Sequence, residues 1–159
     1  MTDVNIRPAQ ADDYDDLCSL FDEVDALHRA GLPSVFQKPP GAVRDKEYLL
    51  GLLADQTVLL LVAEIDQKLV GLAHAVIREN QPIPVFVPRR YAIIDSIIVH
   101  SAMHHHGIGR LLADKVDQWA KSQGAASIEL NVYEFNQDAL AFYETLGYST
   151  LRRKMSKSI

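Results

Sequence analysis

The stretch that most constrains this chain is residues 93–112, IIDSIIVHSAMHHHGIGRLL, in which an apolar run, a short polar loop and an amphipathic segment follow one another directly. The apolar run predicts a buried strand, and the amphipathic segment predicts a helix. Gly107 and Gly109 end the loop, where they let the backbone approach a ligand closely. Because the first N–H groups of a helix have no partner within it, this unit predicts an anion-binding site.

Length and composition indicate an ordinary globular protein. The 159 residues are 48% hydrophobic and 23% charged, which predicts one domain over residues 1–159 with a substantial core. The net charge of -5 disfavours a nucleic-acid partner, because proteins that bind nucleic acid usually carry a basic face. Cys18 is the single cysteine, so no intrachain disulfide is expected. No signal core is visible and no apolar run reaches membrane-spanning length, which predicts a cytoplasmic protein without a membrane partner.

Periodicity and turn signals predict an α/β fold. A first strand over residues 4–7 stops at Pro8, and a helix of roughly four turns follows it. Residues 57–65 and 69–77 are nearly continuous apolar runs joined by a polar turn, which predicts an antiparallel hairpin buried on both faces. The other predicted elements are strands at 91–99, 127–133 and 148–155, helices at 44–54, 107–122 and 137–146, and proline-containing loops at 31–43 and 78–90.

Three kinds of phosphate site follow a strand with a glycine turn, and two of them do not fit this chain. A dinucleotide-binding turn needs a third glycine at the position of Leu112. A P-loop needs a lysine and a hydroxyl residue after the glycines, where Arg110 and Leu111 stand instead. The acyl-CoA site of an N-acetyltransferase is the third kind and has no such requirement.

Two motifs resemble those of the GNAT N-acetyltransferase superfamily, and the resemblance extends over nearly the whole chain. Residues 104–109, HHHGIG, resemble the family pattern of Gln or Arg, two residues, Gly, one residue, and Gly or Ala. Residues 136–148 resemble the second pattern, an Asn and an Ala followed by an aromatic residue, Tyr-Glu, two residues, Gly and an aromatic residue. The resemblance implies a mixed, mostly antiparallel sheet of about six to seven strands flanked by about four helices.

The resemblance also implies acetyl-CoA as the co-substrate. Backbone N–H groups near residues 105–110 would hold the pyrophosphate, and main-chain groups of the preceding strand would hold the pantetheine arm. His104 departs from the family's Gln or Arg, which weakens one phosphate contact and leaves the backbone site intact. Asn136 is either a cofactor contact or a plain helix cap. The cofactor-binding residues so assigned are Ile97, Ile98, Val99, His104, His105, His106, Gly107, Ile108, Gly109, Arg110, Asn136 and Tyr143.

Two side chains are candidates for the proton transfers. Tyr143 matches the family's general acid, which would protonate the departing thiolate, and its alternative role is that of a core aromatic residue. Asp95 is either the general base or a substrate contact, or else a buried structural hydrogen-bonding group. Asn131 stands where some members of the family carry a catalytic Glu, so the base is expected elsewhere. Glu129 and Glu134 flank that position, but alternate strand residues face opposite sides.

The acceptor is expected to bind against the first helix, the loop after it and the 78–90 connection, with Asp25, His28 and Phe36 as candidate contacts. The acidic first helix favours a small cationic amine over a protein amine.

No metal is expected, because three consecutive histidines cannot converge on one ion from a tight loop and no cysteine completes a ligand set. Apolar residues in the 31–43 loop suggest packing against substrate or a second copy, so a homodimer is a further expectation. The alternative to an enzyme is a non-catalytic acyl-CoA-binding or sensing module on the same fold.

Overall fold

The computed structural model describes residues 3–159 and contains a five-stranded sheet whose strands lie side by side in chain order. The strands are β1 (Asn5–Pro8), β2 (Val58–Ile65), β3 (Lys68–Glu79), β4 (Arg90–Val99) and β5 (Ile128–Leu130). The helices are α1 (Tyr14–Gly31), α2 (Lys46–Ala54), α3 (Ile108–Ser122) and α4 (Gln137–Thr145). Strands β1 to β4 are antiparallel to their neighbours, whereas β5 runs parallel to β4. The predicted mixed α/β architecture is confirmed.

Helices cover both faces of the sheet, which explains why β2 and β3 are apolar along most of their length. Leu17, Leu20 and Phe21 of α1 belong to a core that includes Val62 and Leu72 of the sheet. The opposite core combines Leu61, Ala73 and Ile94 of the sheet with Ile108, Leu112 and Val116 of α3. The predicted hairpin is confirmed, and its two turn residues, Asp66 and Gln67, have φ of 48° and 62° as a tight hairpin turn requires.

The predicted last strand over residues 148–155 is wrong. The chain after α4 has no regular secondary structure, and residues 151–159 are all exposed. Such a segment does not form a strand by itself, because a strand needs a neighbouring edge and a surface to pack on. β5 offers little edge, since it has three residues instead of the seven predicted over 127–133. The sheet therefore has five strands instead of six to seven.

No helix within residues 3–159 is long and apolar enough to span a lipid bilayer.

An ion-pair cluster joins β1 to β2 and to the turn that precedes α1. The Arg7 guanidinium donates to both carboxylate oxygens of Asp13, at 2.8 and 2.9 Å, and to Glu64 Oε2 at 2.8 Å. The Asp13 side chain is only 11% exposed. Hydrogen bonds from Arg7 hold the pKa of Asp13 below its ordinary value of 3.8.

We expect Arg7→Met to lower the free energy of unfolding by about 1–3 kcal/mol at pH 7, because the buried carboxylate loses its partner. A lowered carboxyl pKa stabilises the fold above the unfolded pKa, and that contribution disappears as the carboxyl is protonated. The difference between wild type and variant should therefore narrow below about pH 4. Urea unfolding at pH 7 and pH 3.5 measures it, with exposed Arg153→Met as the control. A difference in the free energy of unfolding that is the same at pH 7 and pH 3.5 would contradict the role of the Arg7–Asp13 ion pair.

Candidate active site

The feature that builds the site is a bulge at Asp95 in the middle of β4. Ala75 of β3 pairs with Ile94, and the next β3 residue, His74, pairs with Ser96, so Asp95 is the extra residue. On its other side β4 pairs with β5 only through Ala92, Ile93 and Ile94. Beyond the bulge the two strands separate, which leaves the outer edge of β4 open from residue 95 to residue 99.

The open edge carries main-chain donors. The N–H of His100 donates to Val70 O of β3 at 2.8 Å. Because successive residues of a strand direct their polar groups to opposite sides, Ile98 also faces β3, while Ile97 and Val99 face the open edge. The carbonyl of Val99 accepts a hydrogen bond from His104 Nε2 at 2.8 Å. The free donors are therefore the N–H groups of Ile97 and Val99, and Ile98 contributes its side chain to the α1-side core.

The N-terminus of α3 lies beside this edge and is suited to an anion. Its N-cap residue, Gly107, has φ of 79°, and no side chain caps the first turn. That turn carries no acidic residue, so the N–H groups of Ile108, Gly109 and Arg110 have neither a cap nor a competing charge. A Cβ on Gly109 would lie 3.2 Å from the Phe142 ring, which explains the glycine by close packing against α4.

The three histidines of the loop are exposed, and two of them bond to the loop's own backbone. His104 bonds Val99 O as described, and His106 Nδ1 donates to His104 O at 2.8 Å. His105 has φ of 64°, which places it in the left-handed region that few non-glycine residues adopt. No group of three or more His, Cys, Asp or Glu side chains within residues 3–159 is arranged to hold a metal ion.

We expect Gly107→Ala to lower the free energy of unfolding by about 1–2 kcal/mol, because a Cβ is strained at φ of +79° although no atom lies within 4 Å of it. It should also weaken acetyl-CoA binding, since the strained turn shifts the first N–H groups of α3. Gly124→Ala is the matched control, because Gly124 has φ of +74° and open surroundings at the other end of α3. Thermal unfolding and titration with acetyl-CoA measure both effects. Equal losses of acetyl-CoA binding in the two variants would contradict the assignment of the α3 N-terminus as the anion-binding site.

Tyr143 lies on α4. That helix begins at Asn136, whose Oδ1 accepts from Ala139 N at 3.2 Å, so Asn136 acts as the N-cap. Phe142, the residue that precedes Tyr143, packs on Gly109 and brings α4 against the N-terminus of α3. The Tyr143 ring makes edge contacts with Phe142 and Tyr148, at centroid distances of 5.1 and 5.5 Å. Burial, followed by the influence of Tyr148, raises the pKa of Tyr143 well above 10, so its hydroxyl is protonated at neutral pH.

Asp95 lies beside a buried histidine that the sequence did not single out. His74 Nε2 is 3.6 Å from Asp95 Oδ2, while the Asp95 side chain is 48% exposed. Burial lowers the pKa of His74 below 6.5, and the charges of Arg44 and Arg78 lower it further against the opposing effect of Asp95. His74 is therefore neutral at pH 7. The one available signal was a polar residue in the middle of an apolar strand.

The three candidate acceptor contacts lie together, although residues remote in the sequence complete their surroundings. His28 stacks on Phe36 at 5.2 Å, and Tyr133 makes an edge contact with Phe36 at 5.4 Å. Asp25 forms an ion pair with Arg44 at 3.0 Å. Asp25 and Phe36 line an open cleft of about 300 Å³. Tyr133 and Arg44 were missed, because neither has a spacing relation to α1.

An open central strand beside an uncapped helix N-terminus, with a partly buried tyrosine on the helix that packs there, is typical of an acyl-CoA-binding acetyltransferase fold. The model of the acetyltransferase (GNAT) family matches residues 21–148. The chain therefore belongs to the GNAT acetyltransferase family, as the two sequence motifs predicted.

A curated relative and two solved structures are similar to this chain. The uncharacterized N-acetyltransferase YdgE of Bacillus subtilis is 28% identical over 72 residues, a match that spans 45% of this chain and 46% of YdgE, so the similarity reaches about half of that protein. The F44R mutant of the BH1408 protein from Bacillus halodurans is 23% identical, with a TM-score of 0.93 over 98% of this chain and 99% of that one. The aminoglycoside 6'-N-acetyltransferase AAC(6')-Ih from Acinetobacter baumannii is 21% identical, with a TM-score of 0.76 over 99% of each chain. Both structures share the fold.

Proposed function

We propose that this protein transfers the acetyl group of acetyl-CoA directly to a primary amine of a small molecule. The observation that carries the proposal is the open edge of β4, which meets the α3 N-terminus at one end and the Asp95 bulge at the other. Tyr143 lies on the helix that packs against that N-terminus. Cys18 offers no covalent route, because its thiol lies in α1 and is directed at the Arg44 carbonyl at 3.8 Å.

Acetyl-CoA would supply an activated thioester, and the donors of this chain fit its polar groups. The uncapped first turn of α3 would hold the pyrophosphate, with Gly107 and Gly109 allowing close approach. The N–H groups of Ile97 and Val99 would hold the pantetheine and acetyl carbonyl as an added strand does. A donor at that carbonyl also stabilises the charge that develops on its oxygen during attack. The rings of His104 and His106 serve the loop's own backbone, which gives them a supporting role.

The chain's side chains then provide the two proton transfers. Asp95 accepts the proton that the acceptor ammonium must lose, directly or through a water molecule, so that the amine nitrogen can bond to the acetyl carbon. Because His74 is neutral, the Asp95 carboxylate keeps its charge available for the ammonium. As the carbon–sulfur bond breaks, the Tyr143 hydroxyl donates its proton to the departing sulfur.

A small acceptor fits the cleft beside α1 better than a protein segment, because aromatic side chains wall it on the side of Tyr133. From the sequence alone, the acidic residues of α1 favour a cationic small molecule as the acceptor. In the fold, however, Asp25 is paired with Arg44, and Glu23 accepts a hydrogen bond from Ser101 N at 2.8 Å. Attraction for the acceptor therefore depends on the whole cleft and not on the helix alone.

The decisive experiment combines a thermal-shift titration of acetyl-CoA with a panel of small primary amines, followed by detection of free CoA with a thiol reagent. We expect acetyl-CoA to raise the melting temperature and at least one amine to release CoA. Binding of acetyl-CoA without turnover on any amine would favour the non-catalytic acyl-CoA-binding module. Absence of acetyl-CoA binding would contradict both functions.

A further inference from the structure

We propose that the cleft between α1 and the loop after it binds a carboxylate group of the acceptor, so that the substrate is an amine that also carries a carboxylate. This inference rests on the proposed acetyl transfer and names the class of acceptor for it. The cleft has a volume of about 300 Å³ and is lined by Asp25, Arg29, Phe36, Gln37 and Arg44 among others.

Arg29 provides the first reason. Its side chain is 20% exposed, and its Nη1 atom is buried without any hydrogen-bond partner in the part of the chain that the structure describes. Within residues 3–159 its one ion pair joins Nη2 to Asp22 Oδ1 at 3.6 Å, which is longer than a hydrogen bond. Buried donors are almost always satisfied in folded proteins, and because the Arg29 side chain lines the cleft, an acceptor atom bound there would satisfy this donor.

Arg44 provides the second reason, since it is fixed in place before any ligand binds. Its Nη1 donates to Asp25 Oδ2 at 3.0 Å and to Val43 O at 2.8 Å. Its guanidinium also lies over the Phe21 ring, 4.6 Å from the centroid. These contacts involve one edge of the fork, and a guanidinium has five N–H donors in all. A preorganised arginine of this kind is suited to planar, bidentate recognition of a carboxylate.

The balance of charge in the cleft points the same way. The lining of the cleft contains two guanidinium groups, those of Arg29 and Arg44, and one carboxylate, that of Asp25, which is paired with Arg44. Asp22 lies outside the lining, 3.6 Å from Arg29 Nη2, and balances part of that charge. The lining itself therefore favours an anionic group over a cationic one. Gln37 adds an amide at the same wall, and Phe36 adds an apolar surface for the part of the acceptor that joins its two ends.

The cleft also adjoins the reacting groups. The Arg44 guanidinium lies over the Phe21 ring, which belongs to the core that α1 forms with β3. His74 lies on that same strand, 3.6 Å from Asp95 Oδ2. An acceptor anchored by its carboxylate at Arg29 and Arg44 can therefore extend its amine toward Asp95. The two ends of such a molecule are bound by opposite charges, which fixes its direction in the site.

The test compares amino acids with their amides as acceptors. The acids are glycine, β-alanine, 4-aminobutyrate, 6-aminohexanoate and L-phenylalanine, and each is compared with its amide. The release of CoA gives kcat/KM for every acceptor. The best acid should exceed its amide by about 10- to 100-fold, as expected when a hydrogen bond to a charged group is lost. In Arg29→Gln this ratio should fall toward one, in Arg29→Lys it should recover in part, and in the exposed control Arg152→Gln it should stay unchanged. Acceptance of amides or of polyamines as readily as the acids would overturn the carboxylate site while leaving acetyl transfer supported.

A binding measurement keeps the inference independent of turnover. Phenylacetate and phenylacetamide have nearly the same shape and differ in charge. We expect phenylacetate to cause saturable shifts in the arginine side-chain signals of ¹H–¹⁵N spectra, and we expect phenylacetamide to cause none. The shifts should be lost in Arg29→Gln. Absence of a saturable shift with phenylacetate would overturn the carboxylate site whether or not any amine is acetylated, whereas failure to bind acetyl-CoA would overturn the proposed function instead.

Discussion

Replacing Tyr143 with phenylalanine is expected to lower kcat by about 10²- to 10⁴-fold, which is the contribution that general acids commonly make. The variant removes the one hydroxyl and keeps the ring that packs on Phe142 and Tyr148. The melting temperature and the affinity for acetyl-CoA should therefore change little. Steady-state kinetics with a saturating amine, combined with a thermal-shift titration of acetyl-CoA, measure the two quantities separately.

The pH dependence gives this prediction a sign. An acid acts only while protonated, and burial raises the pKa of Tyr143 well above 10. The wild-type kcat should therefore not fall between about pH 7 and pH 9.5 through loss of this proton.

Tyr148→Phe is the matched control for Tyr143. Burial, followed by the influence of Asp117, raises the pKa of Tyr148 to about 12, and its ring touches that of Tyr143. The two tyrosines thus share a location and a protonation state and differ in the proposed role. Comparable losses of kcat in both variants would point to packing and contradict the assignment of Tyr143 as the acid.

Replacing Asp95 with asparagine is expected to lower kcat/KM for the acceptor by about 10²- to 10⁴-fold. The amide keeps the size of the side chain at the bulge but cannot take the proton from the acceptor ammonium. The activity of the variant should rise continuously with pH as the solution supplies more free amine, and affinity for acetyl-CoA should be retained. Rate measurements from pH 6 to pH 10 with the best amine of the panel test both statements.

Glu129→Gln is the control for Asp95. Glu129 lies on β5 next to the position where some members of the family carry a catalytic acid, and its carboxylate is bound to the Arg89 guanidinium. We expect its loss to leave kcat/KM within a few-fold of wild type, because this carboxylate is already bound to the Arg89 guanidinium. A larger loss in Glu129→Gln than in Asp95→Asn would move the base to β5.

The hairpin of β2 and β3 and the glycine loop before α3 were predictable because their signals are local. A continuous apolar run of strand length is stable as a strand that is buried on both faces of a sheet. The left-handed φ at Gly107 is a local property of that residue and its neighbours. The last strand was mispredicted because strand pairing depends on residues that are distant in the sequence. Whether residues 148–155 pair as a strand depends on an edge contributed by another part of the chain.

The sequence by itself determined the family and the order of the elements up to α4, and it predicts the stretch that would meet acetyl-CoA. All three are carried by residues close together in the chain. The acceptor side depended on contacts between distant residues. His74 meets Asp95 through the register of β3 on β4, and Arg44 meets Asp25 across the loop that follows α1. Such contacts follow from the bulge that shifts the register and from the packing of α1 on the sheet, and neither leaves a periodic trace in the sequence. In the sequence, the acidic residues of α1 favour a cationic acceptor. In the structure, α1 forms one wall of a cleft that is also lined by Arg29, whose Nη1 atom has no hydrogen-bond partner within residues 3–159.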